Sequence, residues 1–168
     1  MESQELKSIQ SPIKAKYRET PEAAFITLKA QGKIGEGISC RVETGRALVQ
    51  AGLHPATGGN GLLACSGDML LEALVACAGV TLSAVATSIG VTIKEGTVKA
   101  EGDLDFRGTL GVSTEVPVGF KSIRLQFILK TDATSEQIQS ISKLTERYCV
   151  VFQSLINGVH LQTSFDKL

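Results

Sequence analysis

The chain has 168 residues, with Lys plus Arg and Asp plus Glu balanced at 17 each and a pI near 6.7. One domain of this length can bury a real core, and with no basic block or stripe, nucleic acid and anionic membrane are not expected as partners. The polar opening MESQELKSIQ offers no positive n-region and no apolar h-region, so no secretory signal is read there and a cytoplasmic protein with reduced thiols is expected.

In chain order, PIKAKYR (12–18) sets Ile13, Ala15 and Tyr17 against Lys14, Lys16 and Arg18, which predicts a half-buried strand. AAFITLKAQ (23–31) and GISCRVE (37–43) read the same way. Thr44-Gly45 then predicts a hairpin into RALVQAGL (46–53), and HPATGGNG (54–61) is a Gly-rich loop. Between Glu72 and Lys94 lie 21 residues without a charge, 12 of them Ala, Gly, Ser or Thr. The length suits a membrane span, but the composition is far less apolar than a Leu/Ile/Phe span and suits a buried helix of a soluble domain. That helix is predicted over 67–89, with Ser66 as N-cap, Asp68 in the first turn and Gly90 as its stop.

TVKAEGDLDFR (97–107) alternates strictly and predicts a strand, with Val98, Ala100, Leu104 and Phe106 inward and Lys99, Glu101, Asp103 and Asp105 outward. FKSIRLQFILKT (120–131) is a second such strand. Thr134 and Gln137 form a capping-box pattern, opening a helix whose apolar stripe runs through Ile138, Ile141, Leu144, Tyr148, Phe152 and Leu155. VHLQTSF (159–165) is expected to close the chain as a strand. Strands interrupted by two long helices predict a single α+β domain with antiparallel sheet. The helix that is uncharged all round predicts a homodimer built on it.

Most chemistries find no support. Gly59-Asn60-Gly61-Leu62-Leu63-Ala64 formally fits a dinucleotide fingerprint, but Cys65-Ser66-Gly67 separates it from the helix and no acidic residue follows at the required distance. His54 and His160 stand alone, and no pair of cysteines has zinc-ligand spacing, so neither metal nor cofactor is expected. No G-x-S-x-G elbow occurs. Four cysteines remain. Cys40 sits on the apolar face of its strand and reads as core, and Cys65 precedes the first helix without an evident partner. Cys77 lies about three turns inside that helix, so reactivity there requires a cation from elsewhere in the fold. Cys149 falls beside the stripe of the second helix and can look inward. On composition alone all four read as structural.

The motifs add to this. CSGDMLLEALVACAGVTLSAVATSIGV resembles the first cysteine helix of the OsmC/Ohr family, the osmotically inducible and organic hydroperoxide resistance proteins. TERYCVVFQSLINGV resembles its second motif, Y-C-P-V-S-x-[TS]-L, and GLHPATGG suits the loop before the first helix. The similarity covers 34–168, with residues 1–33 as N-terminal strands of the same domain. The resemblance implies an intertwined homodimer whose antiparallel sheets wrap two central cysteine helices. It also implies a peroxidase without metal or nucleotide. Cys77 would be the peroxidatic thiolate and Cys149 the resolving thiol, with organic hydroperoxides as substrates and a dithiol or lipoylated protein as reductant. The family's activating arginine comes from an N-terminal strand. Arg46 is the candidate, with Arg41 and Arg18 as alternatives, held by Asp68 or by its rival Glu72. The sequence departs from the family at Val150, where Pro is usual, so the second helix is expected to run on unbroken. It departs again at Phe152, where a small Ser is usual. From another class, a small-molecule or lipid-binding member with unused cysteines is the alternative, and peroxide-dependent thiol loss separates the two.

Overall fold

The structure is a computed structural model that describes residues 2–5, 8, 10, 11, 15, 19, 20, 31–34, 39–43, 48–111 and 113–167, with the backbone alone at 31–34, 39–43 and 48. Four strands form one sheet in the order β1 (Gln31–Ile34), β2 (Ser39–Glu43), β3 (Leu48–Gly52) and β4 (Ala64–Cys65). The first three are antiparallel, with Cys40 opposite Ala51, whereas β4 runs parallel to β3 and sets Cys65 opposite Gly52. The strands expected at 37–43 and 46–53 are present in shortened form, and the turn between them lies outside the described residues. So does the strand expected at 23–31, apart from Gln31, which begins β1. Of the strand expected at 12–18 only Ala15 is described, and it is helical, as are residues 3–5, 8, 10, 11 and 19. The alternation there is short, and it is built from Lys, Ala and Arg, which favour helix intrinsically.

Helix α1 spans Ser66–Ser88, close to expectation, but Cys65 and not Ser66 is its N-cap. Pairing of β4 with β3 holds Cys65 extended, at φ −80° and ψ 130°, so Ser66 is already inside the first turn. At the other end Gly90 adopts φ +73°. The Gly90 N–H reaches the Thr87 carbonyl at 3.1 Å and the Val91 N–H reaches Ala86 at 2.9 Å, the paired bonds of a Schellman stop. By length and composition α1 is long and apolar enough to cross a membrane. Here it packs against β5, α3 and α4, which are described next.

Strands β5 (Ile93–Leu104) and β6 (Phe120–Thr131) form an antiparallel pair with Val98 opposite Phe127 and Ala100 opposite Leu125. These residues pack toward α1. The outer face carries ion pairs of Arg124 with Asp103 and of Lys130 with Glu95. Expected to reach 107, β5 stops early because Asp105 caps the short helix α2 (Phe106–Thr109), accepting the Arg107 N–H at 3.2 Å. Phe106 therefore leaves the strand and stacks on His54, with ring centroids 5.1 Å apart.

Helix α3 (Ser135–Tyr148) opens with the expected Thr134–Gln137 capping box. The chain does not run on as one helix, however. Cys149 is extended, at φ −73° and ψ 108°, ending α3 and serving as N-cap of α4 (Val150–Asn157). A break here needs no proline. It turns Cys149 into the core at 1% exposure and leaves Val150 outside at 69%. Residues 158–167 form no strand and are exposed wherever burial is described. Alternation alone does not make a strand without a neighbour to hydrogen-bond, and this segment pairs with none of the described strands.

Two clusters make up the core. Leu82, Val85, Ala86 and Val91 meet Ile141, while Leu74 and Ala78 meet Cys149, with Val98, Ala100, Ile123, Leu125 and Phe152 packed around them. The second cluster is where the thiols lie.

Candidate functional site

Cys77 points from the middle of α1 into the second cluster, half-buried, and Cys149 reaches the same point from the α3–α4 corner. The two thiols are free and within hydrogen-bonding reach of each other. Burial alone would raise both pKa values. For Cys77 that effect is outweighed by donors: the N–H of Val151, the Cys149 thiol, the N–H of Val150 and the Thr81 hydroxyl, and its pKa falls below the ordinary thiol value. For Cys149 burial prevails. The Cys77 sulfur adds to it as hydrogen-bond acceptor and as negative charge, against opposing N–H groups of Phe152 and Val151, so its pKa rises. The two shifts thus run in opposite directions, so Cys77 is the thiol that ionises first and Cys149 the one that keeps its proton.

The break at Cys149 produces this polarity. The first N–H groups of a helix have no partner within it. Ending α3 at Tyr148 and starting α4 at Val150 places two such groups against the Cys77 sulfur, where the helix dipole also favours negative charge. An unbroken helix would have spent those N–H groups on its own carbonyls. The expectation that only a distant cation could activate Cys77 therefore missed a donor set supplied by the backbone. Thr81, one turn beyond Cys77, was missed as well; its i+4 spacing was the available signal.

The remaining expected site residues do not join the pair. Asp68 and Glu72 are both exposed on α1, and among the described residues neither forms an ion pair. Arg46 and Arg18 lie outside the described residues. Arg41 is on β2, opposite Lys33 and Gln50. Among the described residues no three His, Cys, Asp or Glu side chains cluster as a metal site would require.

Beside the thiols an apolar groove of about 580 Å³ opens between α1, β6 and α4, lined by Leu70, Leu74, Ile123, Phe152, Leu155 and Ile156 among others. Leu74, Ile123, Leu125 and Phe152 belong to both groove and thiol cluster, so the groove lies directly against the cluster.

The family model of OsmC-like proteins matches residues 59–164, a span that contains both thiols, the corner and α1. The chain belongs to the OsmC-like family. Solved OsmC-like structures share its fold. An OsmC-like protein from Mycoplasma pneumoniae superposes with a TM-score of 0.66 at 16% identity, over 80% of this chain and 89% of that one. An organic hydroperoxide resistance protein from Elizabethkingia anophelis gives 0.64 at 16%, over 80% and 91%. The organic hydroperoxide resistance protein OhrB of Bacillus subtilis gives 0.55 at 18%, over 80% and 94%. No curated protein matches the chain. The OsmC-like fold is thus retained at low identity.

Proposed function

We propose that this OsmC-like protein is a thiol peroxidase acting on organic hydroperoxides. The observation that carries the reading is the polarised pair, an acidified Cys77 beside a protonated Cys149 at the edge of an apolar groove. The Cys77 thiolate attacks the outer oxygen of ROOH, the O–O bond breaks, and the alkoxide takes a proton to leave as ROH. Cys77 is then a sulfenic acid. The Cys149 sulfur attacks it, the S–O bond breaks, and water leaves with the Cys149 proton, forming the disulfide. A dithiol or lipoylated reductant would regenerate both thiols by exchange, becoming a disulfide itself. Arg46, with Asp68 or Glu72, remains the proposed electrostatic support for the thiolate.

The same reading includes a cytoplasmic homodimer. On α1 the residues Ala73, Ala76, Val80 and Ser83 form an exposed small and apolar stripe, and Val80 is 72% exposed. Val159, Leu161 and Phe165 of the unpaired C-terminal segment are exposed too. A second copy would cover the stripe and give that segment an edge to pair with. Sedimentation at micromolar concentration should give the dimer mass, and a folded 17.8 kDa monomer would exclude this assembly.

The groove also favours a second reading, an apolar-ligand carrier with idle thiols. Titration with cumene hydroperoxide decides between them. The peroxidase loses two thiols and yields one alcohol per equivalent, and Cys77→Ser abolishes both changes. A carrier keeps its thiols.

A further inference from the structure

We infer that Gln153 is a positioning residue for Cys149, its side-chain amide latching α4 to the end of α3 and so holding the corner that carries the buried thiol; only the effect on disulfide closure rests on the peroxidase reading. The end of α3 leaves carbonyls without helical partners. The Cys149 N–H takes the Thr145 carbonyl at 2.9 Å, and Gln153 Nε2 donates to the next one, Glu146, at 2.8 Å. Gln153 belongs to α4 and Glu146 to α3, so this bond spans the break at Cys149. Among the described residues it is the one hydrogen bond seen directly between the two helices. Asn157, at the end of α4, holds the amide the right way round. Its Nδ2 donates to Gln153 Oε1 at 2.9 Å and to the Gln153 carbonyl at 3.1 Å, which leaves Nε2 as the group facing Glu146.

The latch bears on Cys149 through the backbone. Tyr148 and Val150 on either side are 57% and 69% exposed, whereas Cys149 is 1% exposed. A residue so flanked faces the core while α3 and α4 keep their angle, because the two soft dihedrals of Cys149 set both that angle and the direction of its side chain. Position 153 lies four residues beyond the pivot, about 6 Å along α4. A bond there closes the corner as a lever would. In the closed arrangement Cys149 packs with Leu74, Ala78 and Cys77. Release of the latch therefore opens the corner locally and admits solvent to Cys149, ahead of any opening of β5 and β6, whose pairing does not involve the corner.

The test compares Gln153→Glu, which keeps the shape and the oxygen that Asn157 reaches but loses the donor, with Gln153→Lys, which brings a donor back to the α3 carbonyls. Two readouts are taken under native conditions: iodoacetamide alkylation of Cys149 at alkaline pH, resolved by peptide mass, and amide hydrogen exchange. Gln153→Glu should speed Cys149 alkylation and exchange within 150–157 about two- to tenfold, the population change that one lost hydrogen bond produces, with β5 and β6 at parent rates. Gln153→Lys should return most of that change. Parent behaviour in Gln153→Glu overturns the assignment, and so does equal acceleration in β5 and β6, which would be a general loss of stability. A Gln153→Lys protein equal to Gln153→Glu overturns it too, since the donor would not be what matters. Cumene hydroperoxide and dimedone are then added together. Gln153→Glu should let about two- to tenfold more Cys77 sulfenic acid be trapped before the disulfide closes, and trapping equal to the parent would leave the latch without a positioning role. A parent whose thiols are not oxidised at all ends the peroxidase reading, while alkylation and exchange still decide the latch.

Discussion

Val150→Pro places the usual family residue at the corner, and its consequences follow from the backbone. Val150 is the first residue of α4, where proline is tolerated because that N–H has no helical partner. Cys149 before it already has φ −73° and ψ 108°, the extended geometry a residue before proline requires. The substitution should therefore stabilise the fold by about 0.4–1 kcal/mol through the unfolded chain. It also deletes one donor to Cys77. A hydrogen bond contributes about 0.5–1.5 kcal/mol net, so the Cys77 pKa should rise by roughly 0.4–1 unit, and thiolate-dependent alkylation at neutral pH should slow about two- to tenfold. The sign with pH follows. A thiol whose folded pKa is lowered stabilises the fold fully above the ordinary thiol value, and that contribution is lost as pH falls through the lowered value. Below that window only the proline effect remains, so chemical denaturation should show a clear gain. Above it the lost donor, at about 0.5–1.5 kcal/mol, cancels or outweighs that gain. Destabilisation in acid would refute the break at Cys149, and an alkylation profile matching the parent would refute the backbone-donor account of activation.

Arg46→Ala should raise the Cys77 pKa and slow hydroperoxide attack by at least about tenfold, with Arg46→Lys recovering only part, as measured by stopped-flow thiol oxidation. Parent rates in both would leave activation to the α4 amides and Thr81. Gly90→Ala should cost about 1 kcal/mol in denaturant unfolding, because φ +73° is strained for any residue with a Cβ; an unchanged midpoint would mean the Schellman stop is dispensable. Phe152→Ser should lower stability by about 2–3 kcal/mol and speed alkylation of Cys149 at alkaline pH, since the ring belongs to both the groove and the thiol cluster. Equal alkylation in parent and variant would show that the ring does not shield it.

Much of the fold was legible because its signals were local. The alternation of 120–131, the capping box at Thr134 and the glycine at 90 each specify their element without help from elsewhere. The misses were non-local. Pairing of β4 with β3 moved the α1 cap to Cys65, and the Asp105 ion pairs with Arg107 and Lys121 bent the chain out of β5. At the site, the meeting of Cys77 and Cys149 followed from their inward faces together with the family motifs. Their polarity did not, because it depends on a helix break at a position where the sequence carries valine. The strand expected at 159–165 shows the same limit: its alternation is real, but pairing depends on an edge outside the segment.

Peptide mapping of the protein after one equivalent of cumene hydroperoxide tests the central claim most directly. The account predicts a dominant Cys77–Cys149 disulfide within one subunit, and in Cys149→Ser a Cys77 sulfenic acid that dimedone traps. A dominant bridge through Cys40 or Cys65, or four thiols intact after the hydroperoxide has been added, would contradict it.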